Sequence, residues 1–350
     1  MSHTKTGEIL FKPNGKTIKA GERFKNPDFA NYLEQIIVEG SNFLYHGDLT
    51  DKIDDYMEDG GLLTRDDLSN YEVIERTPLK TDFNGKTIIT NPMPSPGGTL
   101  IAFALKIISK KFPGEKIDNR LLTLGMRLAQ IARSEIISTK NRKNSLAEIL
   151  SPSYFKKYLD LLDYEISLKL NKEKPGSGST THMSIIDSQG NAASVTTTNG
   201  EGCGYIIPGT GIMMNNMLGE DDLNPDGFHN WETTKRMSTM MSPTIVIGDS
   251  GPELVLGSGG SNRIRSAIKQ VILNKFANNM NLEEAIKAPR IHLEENIIHC
   301  EPGINTDKLN FPWSTIHHWH EKNLFFGGVN AVTPTNAVGD LRRSGYGLVR

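Results

Sequence analysis

Residues 180–198 read Thr-Thr-His-Met-Ser-Ile-Ile-Asp-Ser-Gln-Gly-Asn-Ala-Ala-Ser-Val-Thr-Thr-Thr, with two runs rich in β-branched residues on either side of Ser188-Gln189-Gly190. Such runs favour β-strands, and Gly190 stands where a three-residue hairpin loop needs a positive φ. The stretch therefore predicts a β-hairpin. Ungapped pairing about Gln189 places Thr180 opposite Thr198, with their side chains about 5 Å apart.

The segment before this hairpin, Asn171–Ser179, is first charged and then rich in glycine and serine. That composition is typical of an exposed, flexible connection, and a plain linker is one interpretation of it. The other concerns Thr180, because a threonine hydroxyl is a poor nucleophile unless a base lies beside it. Cleavage between Ser179 and Thr180 would free an α-amine with a pKa of about 7.7–8.0, which can act as that base. A nucleophile at a strand start after a cleavable loop is typical of an N-terminal-nucleophile hydrolase, and Thr198 is then either its hydroxyl partner or an ordinary strand residue.

A second candidate site is Gly257-Ser258-Gly259-Gly260-Ser261, between a predicted strand and a predicted amphipathic helix. Glycines let successive backbone N–H groups point into one concavity, and a helix N-terminus adds a favourable potential for an anion. Such a loop suits a phosphate or the oxyanion of an acyl-transfer reaction, and it also occurs as a purely structural turn.

The first half of the chain reads as mainly helical, and strands begin at the hairpin. Apolar residues at helical spacing predict helices over residues 27–39, 99–110, 119–137 and 144–162. A turn at Asp82–Gly85 precedes a predicted strand at Lys86–Thr90, and residues 243–256 read as another hairpin. Asn281 and Glu284 form a capping-box pattern for a last helix.

Composition excludes several classes of protein. The 350 residues carry 39 Lys+Arg against 41 Asp+Glu, a net charge of −2, which argues against a nucleic-acid binder. The longest apolar-rich stretch, residues 100–108, is interrupted by Lys106 and is too short for a membrane span. Residues 1–16 are polar and lack the apolar core of a secretory signal, so we expect a cytoplasmic location for the chain as it stands.

Cysteine and histidine usage gives no sign of a metal site. Cys203 and Cys300 are too few for a disulfide framework and cannot bind a metal alone. The run His317-His318-Trp319-His320 has no second cluster of ligands to accompany it. We therefore expect this run to lie in a surface loop.

The chain as a whole resembles the γ-glutamyltransferases (γ-glutamyltranspeptidases), because it carries the motifs of that family in one collinear order. These motifs are Gly60–Tyr71, Glu75–Pro78, Pro94–Gly98, Thr180–Ala192, Pro208–Asn216, Met241–Val246, Gly257–Ile264 and Glu284–His292. The first three resemble the later part of the family's large subunit, and the others resemble its small subunit.

The resemblance implies an α/β fold, the αββα sandwich of N-terminal-nucleophile hydrolases, made as one chain that cleaves itself between Ser179 and Thr180. Residues 1–179 would be the end of the large-subunit region and residues 180–350 the small-subunit region, both parts of one globular unit. The implied reaction transfers the γ-glutamyl group of glutathione or a similar compound to water or to an amino-acid or peptide amine. The family uses no metal or organic cofactor.

The resemblance also assigns roles to individual residues. Thr180 corresponds to the nucleophile, Thr198 to the threonine that hydrogen-bonds it, and Gly259 and Gly260 to the glycines of the oxyanion hole. Predicted substrate-binding residues are Asn199, an acidic residue within Glu220-Asp221-Asp222, with Glu220 and Asp221 as the first candidates, for the glutamyl amine, and Ser238 or Thr239 for its carboxylate.

The resemblance leaves part of the family's large subunit outside the match, including strands of the sandwich and an arginine that binds the substrate α-carboxylate. Two alternatives to an active γ-glutamyl enzyme follow. The chain could be a catalytically incomplete homologue that needs a separate N-terminal partner chain. It could also be an amidase with a different acyl specificity.

Overall fold

The computed structural model of the chain describes residues 4–57, 60–138, 149–161, 179–220, 223–224 and 227–350. Contacts divide the chain into a smaller unit, residues 1–76 with 199–217, and a larger unit, residues 77–198 with 218–350. These units do not follow the predicted boundary at residues 179 and 180. That boundary concerns cleavage and stays a prediction.

Helices dominate the described residues before Thr180, and strands dominate from Thr180 onwards. The helices are α1 (Lys5–Phe11), α2 (Pro27–Glu39), α3 (Asn42–Tyr45), α4 (Asp48–Met57), α5 (Arg65–Ser69), α6 (Pro96–Lys111), α7 (Asn119–Ser138), α8 (Pro152–Leu161), α9 (Arg263–Phe276) and α10 (Leu282–Lys287). The strands are β1 (Leu79–Phe83), β2 (Lys86–Thr90), β3 (Thr180–Ile186), β4 (Ala192–Thr198), β5 (Ile206–Ile207), β6 (Ile212–Met213), β7 (Thr244–Gly248), β8 (Gly251–Gly259), β9 (Ile291–Glu294), β10 (Ile297–Cys300), β11 (Thr315–His318), β12 (Gly328–Val332) and β13 (Ala337–Val338).

The smaller unit consists of helices α1 to α5 and the short β5–β6 pair. Its helix α2 begins and ends as predicted, because the side chain of Asn26 accepts a hydrogen bond from the backbone N–H of Phe29 and Gly40 caps the other end. Tyr32, Leu49 and other buried apolar side chains form a core of its own.

The larger unit is built on a six-stranded antiparallel sheet of order β1-β2-β7-β8-β12-β13. Helices α6 and α9 pack against one face, where side chains such as Leu254 and Leu256 on β8 are fully buried. The β3–β4 hairpin packs against the other face. Helices, sheet and hairpin are three layers of the expected sandwich, stacked within the described residues.

The hairpin is fixed to the sheet by polar side chains as well as by packing. Ser194 accepts a hydrogen bond from the backbone N–H of Thr244 at 3.0 Å and donates one to the carbonyl of Leu256 at 3.1 Å. On the neighbouring strand, Asn330 donates to the carbonyl of His182 at 2.9 Å. Hydrogen bonds therefore hold β4 on β7 and β8 through Ser194, and β3 on β12 through Asn330.

Most predicted elements are confirmed, with corrections to one helix, one turn and one loop. Helices at 99–110 and 119–137 correspond to α6 and α7. The predicted helix at 144–162 is described only over residues 149–161, where Leu150 and Ser151 are not helical and α8 begins at Pro152. The predicted turn at Asp82–Gly85 is too long. Asn84 and Gly85 alone make the turn, with φ of 50° and 73°, and the residues before them belong to β1.

The three histidines of His317–His320 are exposed as expected, but the expected loop is wrong at His317 and His318. Residues up to His318 form β11, which pairs in parallel with β10, and Trp319 stacks on Phe325 with 4.8 Å between ring centroids. Strand β10 lies outside the local sequence window, so the local pattern could not reveal this pairing. Among the described helices, none is long and apolar enough to cross a membrane.

Candidate active site

The hairpin places Thr180 at the start of β3, directly opposite Thr198 at the end of β4. The predicted register is therefore confirmed. The hydroxyl of Thr180 donates a hydrogen bond to the hydroxyl of Thr198, with 3.0 Å between the two oxygens. Both side chains are half-buried, so the Thr180 oxygen is held in one direction while it remains accessible.

Gly259 lies directly beneath Thr180. A Cβ atom at Gly259 would lie 2.1 Å from the carbonyl oxygen of Thr180 and 3.5 Å from its Cβ, so only glycine fits between β8 and β3. The next residue, Gly260, has a φ of +123°, and a Cβ there would lie 2.9 Å from the Cα of Gly327. Strand β8 runs through Gly259, so the glycine-rich segment is a strand end followed by a turn rather than a turn throughout.

His182 supports the site from below, and the sequence reasoning missed it. Its ring packs on Gly257, where a Cβ atom would lie 2.3 Å from the imidazole. Nδ1 lies 2.8 Å from the hydroxyl of Thr196, and Nε2 lies 2.8 Å from that of Ser184. Burial lowers the pKa of His182 to about 4, so the imidazole is neutral at pH 7. His182 therefore helps to fix the hairpin on β8 through its packing on Gly257 and its two hydrogen bonds.

Arg343 is a second residue that the sequence reasoning missed. Its aliphatic stem packs on Gly328, where a Cβ atom would lie 2.7 Å from the Cβ of Arg343. Its Nη2 lies 3.4 Å from the position of a Cβ at Gly260. The adjacent glycines Gly327 and Gly328 could have indicated this contact in the sequence, because a glycine in a strand often marks a close approach of other atoms to the backbone.

A buried ion network holds the segment that carries Arg343. Asp340 contacts Arg290 at 2.5 Å, and both side chains are only 2% exposed. Asp340 also accepts from the backbone N–H of Val329 on β12, and Arg342 binds Glu301 through two nitrogens at 2.5 and 2.7 Å. Burial alone would raise the pKa of Asp340. The positive charges of Arg290 and Arg342 nevertheless hold this pKa below its ordinary value.

Two of the predicted substrate-binding residues lie in the segment before β7. Ser238 and Thr239 are half-buried there. The carbonyl of Thr239 accepts a hydrogen bond from Ser95 at 2.7 Å, and its hydroxyl accepts from the backbone N–H of Met241 at 3.2 Å. The first bond ties Thr239 to the start of α6, and the second lies within the segment itself. The binding roles of Ser238 and Thr239 stay predictions.

The other predicted binding residues follow β4. Asn199 belongs to the smaller unit, and its side chain donates to the carbonyl of Met213 at 3.5 Å. Glu220 is half-buried, and its carbonyl accepts from Asn224 at 2.7 Å. Asp221 and Asp222 lie outside the described residues. The roles assigned to Asn199, Glu220 and Asp221 stay predictions, as do the oxyanion roles of Gly259 and Gly260.

Comparison with known proteins shows to which family the chain belongs. Residues 1–349 match the family described as gamma-glutamyltranspeptidase. The chain belongs to the γ-glutamyltranspeptidase family. The resemblance inferred from the collinear motifs is thus confirmed.

Curated relatives of this family member include hydrolases and an acylase. Glutathione hydrolase proenzyme from Escherichia coli (strain K12) is 30% identical over 329 residues, which cover 86% of this chain and 57% of that protein. The Pseudomonas aeruginosa protein of the same name is 33% identical over 313 residues, or 80% of this chain and 56% of that protein. Acylase ACY 1 proenzyme from Pseudomonas sp. (strain SE83) is 31% identical over 337 residues, covering 92% of this chain and 60% of that protein. The chain therefore spans little more than half the length of these relatives.

A solved structure confirms the fold. Cephalosporin acylase from Bacillus halodurans matches 98% of this chain and 66% of its own chain with a TM-score of 0.79, at 20% sequence identity. This γ-glutamyltranspeptidase family member accordingly has the N-terminal-nucleophile hydrolase fold.

Proposed function

We propose that the chain is a γ-glutamyl hydrolase or transpeptidase in which Thr180, freed by self-cleavage after Ser179, is the nucleophile. The observation that carries the proposal is the Thr180–Thr198 hydroxyl pair, at 3.0 Å, seated on Gly259. Family membership and the relatives named glutathione hydrolase proenzyme support the substrate class and the processing.

Self-cleavage begins when the Thr180 hydroxyl oxygen attacks the carbonyl carbon of Ser179. The C–N bond breaks, the nitrogen takes the proton, and an ester joins Ser179 to the Thr180 oxygen. Water then hydrolyses this ester and leaves a Ser179 carboxylate with a free Thr180 amine and hydroxyl. Thr198 contributes by holding the Thr180 oxygen in the direction of attack.

In acyl transfer the free amine of Thr180 takes the proton of its own hydroxyl as the oxygen attacks the γ-carbonyl of the donor. Backbone N–H groups at Gly259 and Gly260 stabilise the resulting oxyanion, and loss of one such donor costs roughly 10²–10³ in rate. The donor's amine leaves with the proton that the Thr180 amine had taken, and a γ-glutamyl ester forms on the Thr180 oxygen. Water or an acceptor amine then attacks this ester, takes the γ-glutamyl group and regenerates the Thr180 hydroxyl.

We further propose that a separate polypeptide, equivalent to the part of the relatives that this chain does not match, completes the site. The outward face of the β3–β4 hairpin carries Met183, Ile185 and Val195, which are 55%, 55% and 42% exposed. Within the described residues the sheet formed by β3 and β4 has only these two strands, so each of them has one unpaired edge. Exposed apolar faces and open edges are typical of surfaces that another chain covers.

An amidase of different acyl specificity is a second candidate function, and the relative named acylase ACY 1 favours it. The two candidates differ in the donor they prefer. A γ-glutamyl enzyme releases p-nitroaniline faster from the γ-glutamyl anilide, whereas the amidase prefers a plain acyl anilide.

The test measures p-nitroaniline release from γ-glutamyl-p-nitroanilide, with and without the proposed partner polypeptide. We expect Thr180→Ala to abolish release. Thr181→Ala is the matched control, since Thr181 is the neighbouring threonine on the exposed face of β3. Equal activity of the Thr180→Ala and unchanged proteins would contradict the proposed nucleophile.

A further inference from the structure

The hydroxyl of Ser258 joins the ends of two neighbouring strands of the main sheet. It accepts a hydrogen bond from the backbone N–H of Gly328 on β12, with 3.2 Å between the atoms, and donates one to the carbonyl of Gly259 on β8 at 2.9 Å. The side chain of Ser258 has no exposed surface, so bulk water does not compete for its single proton. Ser258 therefore holds the carbonyl of Gly259 in one direction.

Ser258 and Thr180 lie on opposite faces of β8, because successive side chains of a strand point to opposite faces. Gly259 faces the hairpin, since a Cβ atom there would lie 2.1 Å from the carbonyl oxygen of Thr180. Ser258 faces the helices instead. A Cβ atom at Gly327 would lie 3.0 Å from the Oγ of Ser258 and 3.3 Å from the Cβ of Ala267 on α9.

The direction of the Gly259 carbonyl also sets the direction of the next backbone N–H. The C=O and the N–H of a planar trans peptide point in opposite directions. With its carbonyl bound to Ser258 on the helix side, this peptide directs the N–H of Gly260 away from Ser258. That is the side of β8 on which Thr180 lies. Gly260 is one of the two proposed oxyanion donors.

The N–H that reaches Ser258 is itself held in place by the buried ion network. Arg290 donates to the carbonyls of Phe326 and Gly327, at 3.2 and 3.1 Å. The side chain of Arg290 is only 2% exposed. Because Gly328 follows these two residues directly, the network fixes where its N–H meets the hydroxyl of Ser258.

We infer that Ser258 is a positioning residue for acyl transfer, which orients the N–H of Gly260 towards the oxyanion that forms at Thr180. This inference rests on the proposed function, because it requires an acyl carbonyl at Thr180. Ser258 acts through the backbone and does not touch the substrate. N–H groups that are already oriented stabilise an oxyanion best, because no reorganisation is needed as the charge develops. The hydroxyl should therefore matter in the transition state and hardly affect the binding of the donor.

The first experiment measures p-nitroaniline release from γ-glutamyl-p-nitroanilide by the processed protein, with any partner polypeptide it requires. For Ser258→Ala we expect kcat to fall roughly 10- to 100-fold, because a misdirected N–H loses much of the effect of an oxyanion donor. KM should stay within about threefold of its original value, since the affected interaction is made in the transition state.

Three further variants make this result specific. Ser258→Thr keeps the hydroxyl and should restore most of the lost kcat. Ser258→Cys keeps the size but donates weakly, so it should lie between serine and alanine, and it serves if the alanine variant does not fold. Ser266→Ala is the matched control, because it removes another buried serine hydroxyl, bonded to His292, and should leave kcat unchanged. Equal losses of kcat in the two alanine variants would overturn the inference.

The second experiment does not depend on catalysis. The chain contains four Gly-Gly pairs, so glycine labelled with ¹³C at the carbonyl and ¹⁵N at the amide gives four carbonyl–amide NMR signals. In Ser258→Ala two of the four signals should shift, because the two pairs beside the hydroxyl lose a hydrogen bond. The affected pairs are Gly259-Gly260 and Gly327-Gly328, and the unaffected ones are Gly60-Gly61 and Gly97-Gly98.

The two experiments separate the failure of the inference from the failure of the proposed function. If two signals shift in Ser258→Ala but the unchanged protein turns over no donor, the proposed function fails while Ser258 still orients the turn. If the unchanged protein is active and Ser258→Ala keeps its full kcat, the proposed function stands and the positioning role is wrong, whether or not the signals shift.

Discussion

At the scale of single residues, the site depends on glycines that let other groups come close. In Gly259→Ala the new methyl group would lie 2.1 Å from the carbonyl oxygen of Thr180, so β3 must shift. Because a displacement of about 1 Å can cost roughly 100-fold in rate, we expect self-cleavage to slow by that order. Gly190→Ala is the control, since a Cβ there has no atom within 4 Å although its φ is +82°. Cleavage of Gly259→Ala at the normal rate would contradict the close packing of β8 against Thr180.

A second residue-scale prediction concerns the pH dependence contributed by His182. Its folded pKa of about 4 lies below the ordinary value of 6.5, so between these values the unfolded chain binds the proton more readily. The stability due to neutral His182 is therefore complete above pH 6.5 and is lost as the pH falls to 4. Each proton taken up on unfolding changes the free energy of unfolding by about 1.4 kcal/mol per pH unit.

Denaturant unfolding at several pH values measures this effect. His182→Gln should reduce the slope of the free energy of unfolding against pH within the window from 6.5 to 4. Ser184→Ala is the control, because it removes a hydrogen-bond partner of His182 but keeps the titrating ring. An unchanged slope in His182→Gln would show that His182 is not buried in its neutral form.

The residues of the site differ in how far the sequence could predict them. The Thr180–Thr198 pair follows from the period of two in a strand and from the length of the hairpin loop, both of which are local. His182 and Arg343 depend on which strand lies beneath β3 and which segment covers β12. Those contacts depend on how separate elements pack, and one sequence does not show them.

At the scale of elements, the C-terminal segment is held by a buried ion pair. Asp340→Asn leaves the Arg290 guanidinium buried without its carboxylate partner, and breaking such a pair destabilises proteins by about 3–5 kcal/mol. We expect a loss of that order, measured by denaturant unfolding. Glu283→Gln breaks the exposed pair with Lys287 and should leave the free energy of unfolding nearly unchanged, because water screens exposed ion pairs. Equal effects of the two substitutions would contradict the importance of the buried network.

The elements themselves were predicted best where the signal is local. Helix α2 carries its own cap residues, and α10 has a capping box at Asn281 and Glu284. Strand β1 was missed because Leu79–Phe83 has few apolar residues and only Phe83 among them is buried. Strand β11 was missed because its partner β10 lies outside the local sequence.

At the scale of the whole molecule, the exposed apolar face of the β3–β4 hairpin predicts a binding surface for the proposed partner polypeptide. Ile185→Lys places a charge on an exposed position, so it should change the free energy of unfolding of the chain by less than about 0.5 kcal/mol. It should nevertheless weaken binding of the proposed partner polypeptide, measured by calorimetry, because burying an unpaired charge is unfavourable. Ile297→Lys is the control, since Ile297 is also exposed but lies on β10. Equal partner binding by both variants would place the partner elsewhere.

The central claim is that Thr180 becomes the first residue of a separate chain and there accepts an acyl group. Intact-mass spectrometry of the purified protein, incubated with and without the partner polypeptide, tests it most directly. We predict fragments of 179 and 171 residues from the 350-residue chain, the smaller beginning with Thr180 and gaining the mass of a γ-glutamyl group when a donor is added. Thr180→Ala should stay intact. A chain that remains whole through long incubation under both conditions, or a cut at any other bond, would contradict the claim.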